Sequence, residues 1–282
     1  MQEALAEYAD ARKSPNAWML ARFIVPESRI TELLKVNASP EPVALSAIVD
    51  AGSDPRAWFG QIQPALARIA ELKNSTAVRV GALEVPLPRL LSLRETYDAA
   101  IGQYAAAAAQ AGLREIPSFI ETPRSERWLA LLPGAMAAMQ RHRLGAKIRC
   151  GGVNADAVPP VLDVATFLFQ ANDEGIPYKA TAGLHHPIRG YNEDSGFVMH
   201  GFLNVLVASA FAKSGASLDE LIAVLEDDEA SHFGFDSDAL QWNGRRVPRE
   251  VIAETRSRGF IAYGSCSFDE PIADLRALGM IG

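Results

Sequence analysis

Cysteine is scarce in this chain. Cys150 and Cys266 are the only two in 282 residues, which leaves neither a disulfide scaffold nor a Cys-rich zinc site to build and fits a reducing compartment. Positive charge is in deficit as well: 27 Lys and Arg stand against 34 Asp and Glu, a formal net charge of -7. That balance argues against a surface built to track nucleic-acid phosphates. No run approaches the ~20 consecutive apolar residues that cross a bilayer, and residues 1–12 mix acidic and alanine residues without the apolar core of a leader. A soluble cytoplasmic protein with no nucleic-acid or membrane partner is the expectation. No Gly-x-Gly-x-x-Gly follows the first apolar run, so the competing doubly wound dinucleotide-binding sheet lacks its fingerprint. Nor does a Gly/Ser-rich or Pro-rich linker divide the sequence.

What recurs instead is a short apolar run, a polar or Gly/Pro turn and an amphipathic segment, the rhythm of repeated βα units. Eight strands are expected, at residues 18–25, 43–50, 77–85, 115–121, 146–151, 177–183, 232–235 and 260–264. Helical patterns lie between them at 56–73, 93–111, 125–141, 159–172, 196–213 and 249–258. Pro159 and Pro160 suit a helix's first turn, while Gly112, Gly145, Gly215 and Gly259 each follow a helical pattern where a C-terminal cap is wanted. Eight units in a chain near the ~250 residues of a (β/α)8 barrel predict a single TIM-type barrel domain over residues 1–282, with an N-terminal helix at about 2–13 across its floor. The seventh strand is the weakest, because 218–248 holds two helical fragments and the acidic run Glu226, Asp227, Asp228, Glu229.

In a parallel barrel the active site forms where strands end. Those ends are charged here: Asp50 closes the second run, Glu84 lies near the end of the third, and Glu121 closes the fourth. Lys147 and Arg149 are two apart on the fifth and share a face, as do Lys179, Thr181 and His185 along the sixth. Buried parallel strands are normally Val/Ile/Leu-rich, and a lysine in mid-strand costs several kcal/mol unless it has a partner or a function. Taken singly, each charge is equally well explained by a structural ion pair. Taken as a set, Lys147, Arg149, Lys179, His185, Glu84 and Glu121 predict convergence around one cavity. Further substrate-binding candidates are Arg22 on the first run, whose fork suits an anion, and Gly151 with Gly152, which permit close backbone approach. Gly264 and Ser265 precede the last helix, where a phosphate can sit on backbone N–H groups, although the spacing of Ser267 and Glu270 also suits a plain capping box. Cys150, out of phase with Lys147 and Arg149, reads as a small core residue.

The segment Tyr178-Lys179-Ala180-Thr181-Ala182-Gly183 resembles the sixth-strand Lys-Thr-Ser-Thr-Gly segment of deoxyribose-phosphate aldolases, in which the lysine forms the substrate Schiff base. The resemblance covers about six residues and implies Schiff-base chemistry at Lys179. In those aldolases a second lysine lies on the following strand, whereas Lys147 lies on the preceding one. The segments Lys147-Ile148-Arg149-Cys150-Gly151-Gly152, Lys179 to His186, and His200-Gly201-Phe202-Leu203-Asn204 together resemble an uncharacterised bacterial family, which implies no activity.

A lysine becomes nucleophilic when partial burial and a nearby cation disfavour its ammonium form. The leading expectation is therefore an enzyme that takes a small anionic carbonyl metabolite through lyase, aldolase or isomerase chemistry without a cofactor. Lys179 is the nucleophile and Lys147 tunes it; Glu121 and Glu84 or His185 move protons, and Arg149 orients the anion. A homo-oligomer is compatible with all of this. A second expectation is a metal-dependent lyase or hydrolase using His185, His186 and His200 with a glutamate. Adjacent histidines point to opposite faces of a strand, so His185 and His186 share a metal only if the loop turns there. His200 and Asn204 share a helical face that core packing explains equally well. The third expectation is a barrel that binds an anion without turning it over.

Overall fold

A computed structural model describes residues 1–37, 39, 41–90, 96–193 and 195–281. Its Cα packing divides the chain into two compact units, Met1–Gly145 and Ala146–Gly282.

The first unit opens with helix α1 (Gln2–Ala11) and continues β1 (Phe23–Pro26), α2 (Ile30–Val36), β2 (Val43–Ile48), α3 (Pro55–Ala70), β3 (Val78–Pro86), α4 (Asp98–Gln110), β4 (Ser118–Glu121) and α5 (Trp128–His142). Its strands pair in parallel in the order β1-β2-β3-β4. Helix α3 shows how the local chemistry works. Asp54 accepts the Arg56 N–H at 2.8 Å and Pro55 takes the first turn, where its missing donor and fixed φ cost nothing. Trp58, Ile62, Ala65, Leu66 and Ile69 then form a buried stripe at helical spacing, and Trp58 Nε1 donates to the Pro86 carbonyl at 3.0 Å. Leu45, Ala47, Leu83, Val85 and Ile120 are buried to 1% exposure or less, the apolar strand composition that helix-covered parallel sheets require.

The second unit runs β5 (Gly145–Arg149), α6 (Val161–Asp173), β6 (Tyr178–Thr181), β7 (Gly190–Asn192), β8 (Phe197–Met199), α7 (Phe202–Lys213), α8 (Leu218–Glu226), β9 (Phe233–Phe235), β10 (Ala239–Trp242), β11 (Arg245–Pro248), α9 (Arg249–Arg258), β12 (Phe260–Gly264) and α10 (Asp269–Ala277). Strands β5, β6 and β12 pair in parallel in that order, β7 and β8 form a hairpin, and β9, β10 and β11 form an antiparallel sheet with β10 in the middle. Helix α7 is the core. It is apolar on every side, and ten of its residues are buried, the signature of a helix packed all round. Phe202 stacks on Tyr263 at 5.0 Å and Phe211 meets Trp242 edge-on at 5.9 Å. Its polar residue Asn204 holds three backbone groups: Oδ1 accepts the Arg189 N–H at 2.8 Å, while Nδ2 donates to Val224 O and Asp227 O at 2.8 and 2.7 Å.

The chain is α/β, with parallel strands alternating with helices, but the eight-stranded barrel is not what the described residues build. The expected seventh strand lies in the antiparallel sheet, as β9, and β12 hydrogen-bonds directly to β6. Residues 182–259 are spent instead on a hairpin, α7, α8, the small sheet and α9. Asn243 (φ 46°) and Gly244 (φ 78°) explain why 239–248 turns back on itself: an Asn-Gly pair in the left-handed region is the two-residue turn that matches strand twist. The helix expected over 196–213 splits, with Phe197–Met199 in β8 and the helix starting at Phe202. The first strand begins at Phe23, because Ala17–Met19 forms a 3-10 turn. The left-handed cap expected at Gly145 is Arg143 (φ 57°), and Gly145 starts β5. The start of the helix expected at 93 lies outside the described residues. Among the described residues no helix is long and apolar enough to cross a membrane.

Two outcomes follow for the second unit. Asn204→Ala strands one donor and two carbonyls in the core and should cost about 3 kcal/mol, read as a lower denaturant midpoint; a change under roughly 0.5 kcal/mol contradicts this role. Asp236 is held down to about 2, first by the Asp238 N–H, then by Arg246 and the Ala239 N–H. A depressed carboxylate contributes stability above its unfolded range that disappears as pH falls through its folded value. Trp242 fluorescence should therefore report loosening of the small sheet between about pH 4 and pH 2, and Asp236→Asn should remove that transition.

Candidate active site

Strands β5 and β6 pair Lys147 with Lys179, Ile148 with Ala180 and Arg149 with Thr181. Side chains alternate along a strand, so the register sorts these residues into two faces. Tyr178 defines one face: its ring meets Phe167 of α6 edge-on at 5.7 Å, its hydroxyl bonds Ser209 of α7, and burial pushes its phenol well above the ordinary range. Ile148, Cys150 and Ala180 share that helix-covered face, and burial pushes the Cys150 thiol to about 12. Lys147, Arg149, Lys179 and Thr181 share the opposite face. Lys147 and Lys179 are 3% and 5% exposed, whereas Arg149 is exposed at its strand end.

On the other flank of β6, strand β12 places Ala262 beside Lys179 and Gly264 beside Thr181, so small residues adjoin the lysine and the hydroxyl on that side. Tyr263 points the other way, onto Phe202 of α7. The strand exits then come into backbone contact. A Cβ on Gly151 would lie 2.7 Å from Gly183 Cα and 3.0 Å from Met199 Cε. Ala182 (φ 62°) and Gly183 (φ 71°) are both left-handed, and a non-glycine residue held there stores strain of the kind found at functional turns.

The loop after β6 delivers the two adjacent histidines to α10. His185 Nδ1 meets Glu270 Oε2 at 2.8 Å, and His186 Nδ1 meets Asp274 Oδ2 at 2.7 Å while its Nε2 takes the Asn192 amide at 3.0 Å. Two carboxylates one helical turn apart thus fix two imidazoles, and each pairing assigns the proton to Nδ1. The Cys266 Sγ lies 3.6 Å from both nitrogens of His185. His200 goes elsewhere: it is 1% exposed and its Nε2 bonds the Pro159 carbonyl at 2.8 Å. His185 and His186 thus meet the carboxylates of α10 while His200 lies apart from them, and among the described residues no group of three His, Cys, Asp or Glu is arranged to hold a metal ion.

The loop holding Gly264 and Ser265 is occupied by its own hydrogen bonds. Ser265 Oγ accepts the Ser267 N–H at 3.3 Å and Ser267 Oγ accepts the Glu270 N–H at 3.2 Å. Asp269 and Glu270 fill the first turn of α10, a field that opposes an anion there. Gly152 faces Ala157, with 2.6 Å between a built Cβ and the alanine's own.

In the first unit, Glu84 is fully buried on β3 and accepts the Ser46 hydroxyl at 2.7 Å; Glu121 ends β4 in register with Pro86. Asp50 accepts the Ser28 hydroxyl at 2.7 Å. Arg22 is exposed just ahead of β1, and its guanidine lies over Gly81, 2.7 Å from where a Cβ would stand. It precedes β1 and does not lie within the first strand, where the sequence pattern put it.

Glu270, Asp274 and Cys266 were not singled out as site residues from the sequence. They sit more than 80 positions from the histidines they meet, and the only local signal, Ser267 with Glu270, read as a cap. Gly151→Ala should drive the two strand exits apart and cost at least about 2 kcal/mol, whereas Gly175→Ala, with no atom within 4 Å of its Cβ but φ +65°, should cost only about 1 kcal/mol. Equal thermal shifts for the two variants would contradict the close backbone approach.

The chain matches no known family model, no curated protein and no solved structure.

Proposed function

We propose that this chain is an enzyme of the α/β-barrel type that acts on a small anionic carbonyl compound through an imine on Lys179. The observation that carries the reading is the pairing of Lys147 with Lys179 in register, both buried, on the sheet face opposite α6 and α7. Burying two amines side by side is costly for folding, and it is the arrangement that makes an enzyme lysine nucleophilic. Lys179 is the better placed of the two, because Ala262 and Gly264 leave the small-residue flank on its side.

The Nζ of Lys179 attacks the carbonyl carbon, a C–N bond forms, and the carbonyl oxygen departs as water after gaining two protons. The resulting iminium withdraws electrons from the neighbouring carbon, which permits loss of a proton or cleavage of a C–C bond. Arg149, exposed at the end of β5, presents a planar fork for the substrate's carboxylate or phosphate. His185 carries protons, with Glu270 fixing its tautomer.

Borohydride added with small 2-oxo acids or sugar phosphates should trap one covalent adduct, mapped by peptide mass to Lys179. Lys179→Ala should abolish it, and Arg149→Ala should lower its yield at limiting substrate by at least about tenfold. Ligand-dependent thermal stabilisation with no adduct for any compound that binds would convert the reading to anion binding without turnover.

A further inference from the structure

A thiol, an imidazole and a carboxylate stand in sequence beyond the parallel strands of the second unit: Cys266 Sγ lies 3.6 Å from His185 Nε2, and His185 Nδ1 lies 2.8 Å from Glu270 Oε2. The order is nucleophile, base, orienting group, the general form of an activated nucleophile. We propose that Cys266, His185 and Glu270 form an acyl-transfer centre in which Cys266 accepts an acyl group from an activated ester or thioester.

Four observations support it. With Nδ1 occupied by Glu270, His185 keeps the Nε2 lone pair for a proton, which is the tautomer a general base needs. The sulfur is equidistant from both ring nitrogens, which places it over the face of the imidazole, so attack requires rotation about Cys266 χ1 towards Nε2; such contacts are commonly loose before substrate binds. Cys266 is exposed, whereas Cys150 is buried, so one thiol of the two is open to an acyl donor. Finally, Thr181 is 7% exposed and its buried hydroxyl has no hydrogen-bond partner among the described residues; it lies in register with Gly264, two residues before Cys266. A buried hydroxyl in that state costs about 1–3 kcal/mol, and the acyl oxygen of a ligand is a group that would satisfy it.

Burial and then the charge of Glu270 push the Cys266 thiol above its ordinary range, so the centre works by proton transfer during attack and not from a standing thiolate. As the Sγ–C bond forms, the thiol proton passes to His185 Nε2 and the carbonyl electron pair moves onto oxygen. When that tetrahedral adduct collapses, the bond to the leaving alcohol or thiol breaks, and His185 returns the proton to it. Water then releases the acid, its proton passing through His185 to the sulfur. The inference shares His185 with the lysine reading and does not depend on an imine at Lys179, because the two leave adducts on different residues.

The probe is p-nitrophenyl acetate, given to the full chain with p-nitrophenolate release followed and the acetyl group located by peptide mass. The expected result is a burst with a single acetyl on Cys266, absent in Cys266→Ser and slowed by at least about tenfold at neutral pH in both His185→Asn and Glu270→Gln. Alkylation of Cys266 by iodoacetamide supplies a readout that a merely structural role would not move. In His185→Asn the rate should climb with pH through the alkaline range, following the thiolate alone. In Glu270→Gln the thiolate should form at lower pH than in the wild type, because the charge that opposes it is gone. Acetyl groups scattered over surface lysines with none on Cys266, or a Cys266 burst unchanged in both folded variants, overturns the proposal.

Discussion

The second unit is organised by one register. Because β5 and β6 align Lys147 with Lys179, the two amines must lie on the same face, and the neighbouring pair Ile148 and Ala180 must lie on the other. A slip of one residue would push the lysines under α6 and α7 and bring Tyr178 out of its contact with Phe167 and Phe260. Taking two amines out of water on one strand face carries a desolvation cost. The aromatic and aliphatic packing of the helix-covered face holds the alignment, through Tyr178, Phe167 and the apolar length of α7.

The strand exits inherit that geometry. Gly151 and Gly183 meet backbone to backbone, and the left-handed turn at Ala182 and Gly183 sends the chain towards α10, where Glu270 and Asp274 receive His185 and His186. The base of the β7–β8 hairpin is locked into the same place, with Met199 Cε against both glycines. Charged and titratable groups thus gather at the ends of strands whose opposite face is almost wholly apolar, a division of labour in which packing absorbs the strain and the cost of burying the polar face.

Much of this was legible from residue spacing. The apolar rhythm located the seven parallel strands of the described residues, and the i, i+2 phase of Lys147 with Arg149 and Lys179 with Thr181 placed them on one face. The segment 218–248 was not legible, because its strands are three or four residues long and its Asn243-Gly244 turn lies outside any long apolar alternation. The carboxylates that fix the histidines were hidden for a different reason. Glu270 and Asp274 carry no motif of their own, and only the folding of β12 beside β6 brings them to residues more than 80 positions away. The histidine pair reads as metal ligands in the sequence because residue spacing shows the nitrogen donors and conceals the carboxylates that hold Nδ1 of each ring.

The central claim is that the buried lysine face is a substrate face, and diffraction from crystals soaked with a small 2-oxo acid tests it most directly. The expected result is continuous density from Lys179 Nζ to the former carbonyl carbon, with the ligand's carboxylate on the Arg149 guanidinium. A ligand bound elsewhere, or one whose carbonyl carbon lies beyond roughly 3.5 Å from both lysine amines, would contradict it.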